Sequence, residues 1–284
     1  MALIDKKDSP LFDLHSHSLH SDGILRPQAV VSRAKENGVT TLAITDHDSI
    51  SGLAEARVAA AALDMQFING IELSCLWDGV GVHVVGLNFD TGSDVLLAAI
   101  EEQGQARVAR AAMIAERLAR LGIADALAGA QEIAGIGAIG RPHFAQLLVN
   151  RGLVPNTSAA FKRYLGAGKP GDVKQLWPPV ARAVEWINAA GGVAVLAHPE
   201  KYKMTRSKLR RLLTEFRAAG GQAMEVVSGR QAPDVTRSMA QLAAEFGLYA
   251  SCGSDFHDPA QAWQDLGRFE PLPASCEPVW TCWA

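Results

Sequence analysis

Along residues 10–90 short apolar runs alternate with stretches of helical spacing. Phe12 and Leu14 interleave with the polar Asp13, His15 and His17, the alternation of a strand with two unlike faces. Successive strand side chains point to opposite faces, so Asp13, His15 and His17 share one. Pro27–Asn37 has helical spacing, with proline at its start and Gly38 as its stop. Thr40–Thr45 reads as a buried strand running into Asp46, His47 and Asp48, and the Ala-rich Ser51–Leu63 as a second helix. Phe67–Ser74 and Val80–Phe89 read as further strands, carrying Glu72 and His83 among apolar neighbours. This repetition predicts a parallel sheet or barrel of βα units.

The rhythm breaks over 92–175. Ser93–Leu121 reads as one long helix ending near Gly122, and no strand follows before Gly166–Gly171, a turn-rich return path. We expect a helical insertion here, a cap on an α/β body whose parts are 1–91 and 176–284. The α/β rhythm resumes with a helix at Val180–Ala190, a strand at Val193–Ala197 and a basic helix at Thr205–Ala219. A strand at Ala223–Val227, a helix at Asp234–Phe246 and a strand at Tyr249–Cys252 follow. The tail, with Trp263, Trp280 and Trp283, is expected to pack over the barrel end.

Composition narrows the picture. With 48% apolar and 20% charged residues the chain reads as a globular protein with a real core. A net charge of −3 is no footprint for gripping long nucleic acid, although a local basic patch stays open. Cys75, Cys252, Cys276 and Cys282 lack Cys-x-x-Cys spacing and read as reduced, mostly buried thiols. Residues 1–8 lack the apolar run of a leader and nothing approaches a membrane span, so a cytoplasmic location is expected.

The candidate chemistry lies in where the histidines fall. His15, His17, His47, His83, His198 and His257 each sit in a predicted strand or just after one. In parallel sheets and barrels the carboxyl ends of the strands build the site. Asp22, Glu72 and Asp255 belong with them. Singly, His83 could be a hydrogen-bonded core histidine, Glu72 a salt-bridged carboxylate and His198 a strand terminator. Jointly, a buried set of imidazoles and carboxylates is costly unless something satisfies it, and metal coordination does. Nine N/O ligands exceed one ion and suit up to three with bridging. His20 is out of phase with His15 and His17 and reads as a non-ligand; Asp13 reads as an outer carboxylate that orients an imidazole. Without cysteine in the set, Mn²⁺ is the expected metal, with Zn²⁺ or Fe²⁺ as alternatives.

The segments DLHSHSLHSDG, TDHD, GIELS, the strand with His83, LAHP and GSDFH occur in that order over residues 13–257. They resemble the polymerase-and-histidinol-phosphatase (PHP) family of metal-dependent phosphoesterases. The resemblance implies an α/β fold, a distorted (β/α)7-type barrel with a helical cap insertion and a trinuclear site. It places His15, His17 and Asp255 on one ion and Glu72 as a bridge to a second ion that also takes His83 and His198. Asp22, His47 and His257 would hold the third, with a metal-activated hydroxide at the Glu72 cluster as nucleophile. The segment from Arg141 to Val173 resembles the bacterial subgroup that dephosphorylates 3′,5′-nucleoside bisphosphates and trims short RNA from its 5′ end. Arg141 and His143 would then face the substrate from the cap.

Phosphate esters suit such a site. Their hydrolysis requires up to about 10²¹-fold acceleration, whereas one general acid or base contributes about 10²–10⁴-fold; metal ions supply much of the rest. Arg141, Arg230 and Lys169 are the cationic candidates for the phosphate, and the basic run from Lys201 to Arg211 could steer polyanions. The expected substrate is a small nucleotide or short RNA. The alternatives are a histidinol-phosphate-type metabolite phosphatase and a non-catalytic metal- or nucleotide-binding protein.

Overall fold

The computed structural model describes residues 10–174 and 176–283. The stretch 1–8, read above for a leader, lies outside the described residues. Seven strands form one sheet in chain order: β1 (Phe12–Asp13), β2 (Thr41–Ile44), β3 (Gln66–Trp77), β4 (Val80–Leu87), β5 (Val193–Leu196), β6 (Ala223–Ser228) and β7 (Tyr249–Gly253). The last strand returns to the first: Leu14 N donates to Cys252 O at 3.0 Å, Ser16 and Phe256 form a parallel bridge, and Asp255 N donates to His15 O at 2.9 Å. The sheet is therefore a nearly closed barrel, and no helix among the described residues is long and apolar enough to cross a membrane.

Helices α1 (Pro27–Glu36), α2 (Leu53–Ala62), α7 (Val180–Ala189), α8 (Arg206–Ala218) and α9 (Pro233–Glu245) bury apolar faces on the strands. The interior holds Leu14, Ala43, Val85, Val195, Ala197 and Ala223. Val279, Trp280 and Trp283 close the end where β1, β5 and β7 begin, with Trp280 stacked on Phe12 at 3.8 Å between centroids. Trp263 departs from the expected packing. It is 58% exposed and lies at the other end, beside the site. The thiols also depart from expectation: Cys75 and Cys252 are buried, but Cys276 is half-buried and Cys282 exposed, because both belong to the surface tail.

One strand breaks the expected parallel order. β4 runs antiparallel to both β3 and β5. The reason is the dipeptide Asp78-Gly79 between Trp77 and Val80, with φ of +46° and +72°. Asp-Gly with both φ positive makes the two-residue turn that joins antiparallel strands in register. His83 accordingly sits in the first half of a descending strand, and it still reaches the site end because β3 rises past its neighbours.

Residues 94–165 contain helices and no strand: α3 (Asp94–Ala119), α4 (Ala126–Ala134), α5 (Arg141–Asn150) and α6 (Thr157–Ala160), the last continuing as a π turn over Phe161–Leu165. α3 divides along its length. Leu96 and Ala99 pack into the barrel cluster, whereas Ala111, Ile114 and Leu118 belong to a separate core with Phe144, Leu148 and Leu165. Between these halves, Arg107 reaches into the barrel. Its guanidinium meets Asp48 Oδ2 at 2.6 Å and Ser74 Oγ at 3.1 Å, while Gln103 Nε2 donates to Asp48 Oδ1 at 2.8 Å.

Barrel closure depends on one close approach. A Cβ on Gly253 would lie 2.6 Å from the backbone nitrogen of His15. We expect Gly253→Ala to lower stability by about 1–3 kcal/mol, since neither strand can yield without moving the other. A urea midpoint shift at unchanged m-value tests this.

Candidate metal centre

The carboxyl ends of β1, β2, β5 and β7, with the first half of β4 and the middle of β3, bring the nine expected residues together. The side chains of His15, His17 and Glu72 are sealed from solvent. Glu72 lies at their centre and uses both oxygens. Oε1 is 2.8 Å from His83 Nδ1 and 3.0 Å from His198 Nε2. Oε2 is 3.4 Å from His15 Nε2, 3.3 Å from His17 Nε2 and 3.0 Å from His47 Nδ1. Asp255 Oδ1 completes a knot with the two imidazoles, 3.5 Å from His15 Nε2 and 3.4 Å from His17 Nε2. Asp22 faces His257 Nε2 at 3.3 Å and His47 Nε2 at 3.6 Å. His47 thus presents one ring nitrogen to Glu72 and the other to Asp22.

The donor set fits metal ions on three counts. First, four subsets have ligand atoms close enough to share an ion: His15, His17 and Asp255; His15, Glu72 and His198; His47, Glu72 and His83; and His17, Asp22, His47 and His257. Second, ligands at about 2.1 Å in tetrahedral or octahedral geometry stand about 3.0–3.4 Å apart, the spacing seen around Glu72 Oε2. Third, Glu72 Oε2, His47 Nδ1 and His198 Nδ1 are buried without a hydrogen bond. His15 Nδ1 hydrogen-bonds Glu225 Oε1 at 2.7 Å, which turns its Nε2 towards His17 Nε2 at 3.1 Å. Two imidazole nitrogens and two carboxylate oxygens then converge on one point.

The electrostatics of the cluster are divided. Burial alone would raise Glu72, but His47, His83 and His15 together hold its carboxyl well below the usual range. Asp22 and Asp255 are likewise held low against burial, by His47 and His257 for the first and by Lys201 and His15 for the second. Burial, then repulsion from His257, pushes His17 down to about 3. Asp22 overcomes burial to raise His257 to about 9. Neighbouring imidazoles are thus driven in opposite directions.

Three expectations need correction, for Asp13, Lys169 and Arg141, and several contributors were missed. Asp13 does not orient an imidazole: its carboxylate accepts from Ser254 N at 2.8 Å and Gly267 N at 2.9 Å, and burial raises it to about 6. Regular strand geometry ends at Asp13, so the face it was expected to share with His15 is not maintained. Glu225 takes that role, bonding His15 Nδ1 and accepting from His198 N at 2.6 Å. It could have been found as the lone carboxylate in an apolar strand, the signal that singled out Glu72. Tyr202 Oη donates to Ala197 O at 2.7 Å and accepts from His83 N at 2.9 Å, fastening the strands that carry His198 and His83. His20 stands apart, paired with Ser51 Oγ at 2.9 Å.

A cavity of 870 Å³ opens over the cluster, lined by Asp22, Asp255 and His257 on the barrel side and by His143, Gln146 and Phe161 on the helical side. Arg230 and Lys201 also line it, the latter 2.5 Å from Asp255 Oδ2. Lys169 does not: it sits in the surface turn after Gly166. Arg141 is turned away as well, donating to Leu165 O at 3.3 Å and facing Asp172 at 3.8 Å. His143 accepts from Gly140 N through Nδ1 at 2.9 Å, and burial lowers its pKa.

A barrel with this cluster at its mouth places the chain among hydrolases of phosphate esters, and it belongs to the PHP family, whose domain matches residues 13–123. It is 44% identical over 269 residues to a 5′-3′ exoribonuclease of Haemophilus influenzae, covering 95% of this chain and 97% of that protein. It is also 44% identical over 269 residues to a 3′,5′-nucleoside bisphosphate phosphatase of Chromobacterium violaceum, covering 94% of each. A solved structure of an amidohydrolase from Chromobacterium violaceum with bound sulfate superposes with a TM-score of 0.89 at 43% identity, covering 95% of this chain and 94% of that one.

Glu72→Ala should reduce bound metal by at least two equivalents, whereas His20→Ala should leave the stoichiometry unchanged; elemental analysis after dialysis measures both. Glu225→Gln should weaken metal binding about 10–100-fold, because the imidazole of His15 loses the negative charge of its partner. Competition with a chromogenic chelator reads this directly.

Proposed function

We propose that this chain is a metal-dependent phosphoesterase acting on small nucleotides. It would remove the 3′-phosphate of 3′,5′-nucleoside bisphosphates and trim short 5′-phosphorylated RNA. The observation that carries this reading is the convergence of six imidazoles and three carboxylates on the floor of a cavity large enough for one nucleotide. The two relatives, one named for each reaction, support it over nearly their whole length.

In this reading His15, His17 and Asp255 would hold one ion, Glu72 with the two imidazoles on its Oε1, His83 and His198, a second, and Asp22, His47 and His257 a third. Mn²⁺ is the proposed occupant, since the set offers nitrogen and oxygen but no thiolate. Bound metal supplies Lewis acidity, neutralising phosphate charge and making water acidic enough to attack near neutral pH. Glu72, with an oxygen turned to each of two ligand groups, fixes their separation. Asp22 and Asp255 bracket the opening where a phosphate enters. His143, with Nδ1 occupied by the Gly140 amide, carries its proton on Nε2 and can donate it to a phosphate oxygen. Arg230 at the rim, and Lys201 beside Asp255, offset the charge of a polyanionic ester.

We further propose that residues 92–175 act as a cap on the barrel parts 1–91 and 176–284. Its separate apolar core supports this, as does its docking on the loop that carries Asp22, where Ala138 N donates to His20 O at 3.1 Å.

Phosphate release by Mn²⁺-loaded protein from 3′,5′-adenosine bisphosphate, beside histidinol phosphate and a 5′-phosphorylated short RNA, tests the proposal. We expect turnover of the bisphosphate and stepwise trimming of the RNA. Turnover of histidinol phosphate alone would refute the nucleotide assignment, and silence on all three with metal bound would refute catalysis.

A further inference from the structure

We infer that a shallow groove beyond Arg230 is a track for the downstream nucleotides of a single-stranded RNA whose 5′ end lies at the metal cluster; the inference rests on the phosphoester reading above. Arg230 lines both the cavity over the cluster and a second depression of 750 Å³, which is walled by Gln231, Thr236, Arg237, Arg268 and Phe269. The backbone at this junction is held in place. Gly229, at φ +61°, donates to Gly253 O at 2.8 Å, and Arg230 N donates to Trp263 O at 3.0 Å. A tryptophan exposed at the mouth of the cavity and a file of guanidinium groups therefore follow one another away from the site.

The charge pattern points to an anion. Arg33, Arg107, Arg141 and Arg210 are each matched with a carboxylate. Among the described residues Arg230 and Arg237 form no ion pair, as several other arginines such as Arg26 and Arg206 do not, but these two line one groove, although the chain as a whole is acidic. Arg268 leans on Asn37 Oδ1 at 3.0 Å, and Glu270 is the acidic residue lining the groove. Guanidinium groups spaced along a groove beside an exposed indole are the elements of single-strand binding, in which bases stack on aromatics and cations follow the backbone. Arg237 lines the groove and not the cavity, so a mononucleotide seated in the cavity lies apart from it. A chain of two or three nucleotides has both a second base for Trp263 and a phosphodiester for Arg237.

The test uses full-length Mn²⁺-loaded protein and a 3′-fluorescein, 5′-phosphorylated RNA trinucleotide whose first scissile oxygen is replaced by methylene. Fluorescence anisotropy reports its binding, and phosphate release from 3′,5′-adenosine bisphosphate is followed in parallel. Arg237→Ala, and Arg237→Gln alike, should weaken trinucleotide binding about five- to tenfold and reduce the slope of log affinity against log salt by about 0.7. Bisphosphate turnover should not change, because Arg237 lies outside the cavity. Trp263→Ala should weaken the trinucleotide about tenfold, with most of the loss recovered by Trp263→Phe. Unchanged trinucleotide affinity in both Arg237 variants, or an equal loss on the bisphosphate, overturns the track. If the wild-type protein turned over no ester while the Arg237 and salt effects held, the catalytic reading would fall and the track would stand.

Discussion

The site depends on placing carboxylates where water cannot reach them. Glu72 pairs with Val85 across β3 and β4, and Glu225 follows Ala223 by two residues on β6, so both side chains share the interior with apolar neighbours. An ionised carboxylate there is strongly disfavoured unless positive charge or hydrogen-bond donors surround it. The ring of imidazoles supplies the donors, and the tight packing of those imidazoles makes full protonation self-defeating. The apolar plug below, with Trp280 on Phe12, keeps water from entering through the back of the barrel.

The scaffold holds this arrangement with local backbone strain. His198 and Asp255 have positive φ, as does Asp48 immediately after His47. Such conformations cost of order 1–3 kcal/mol each in non-glycine residues and persist only where the surroundings enforce them. Here the enforcement is visible: Glu225 accepts the amide of His198, Asp255 N is tied to His15 O, and Asp48 is clamped by Arg107 and Gln103 from α3.

Much of this was legible in the chain itself. The histidines at strand ends and Glu72 in an apolar strand were found by asking which polar residues a core could not tolerate. The helical break over residues 94–165 showed as lost periodicity. Other features left weaker signals. The reversal of β4 rested on Asp78-Gly79, a short turn signal overridden by the expectation of βα repetition. Strand alternation does not locate Asp13, because the strand stops being regular there. Arg107, Tyr202 and Arg237 carry no pattern of their own, and their significance depends on which distant residue the fold sets beside them. The turning away of Arg141 and the remoteness of Lys169 are likewise matters of tertiary placement, not of residue type.

The hairpin of β3 and β4 has an implication for how such a chain can vary over time. A one-residue slip between paired strands sends every side chain to the opposite face. Glu72 and His83 lie on the two arms of one hairpin, and a two-residue turn sets their register. A length change at Asp78-Gly79 would therefore carry His83 out of the ligand cluster while leaving Glu72 in it. The helical segment, by contrast, touches the cluster only through side chains and one docked loop, so its connections can lengthen or shorten without shifting a ligand. Insertions should accumulate in that segment across relatives, and the hairpin should remain fixed in length, so that diversity of substrate can arise above a metal site that tolerates almost no drift.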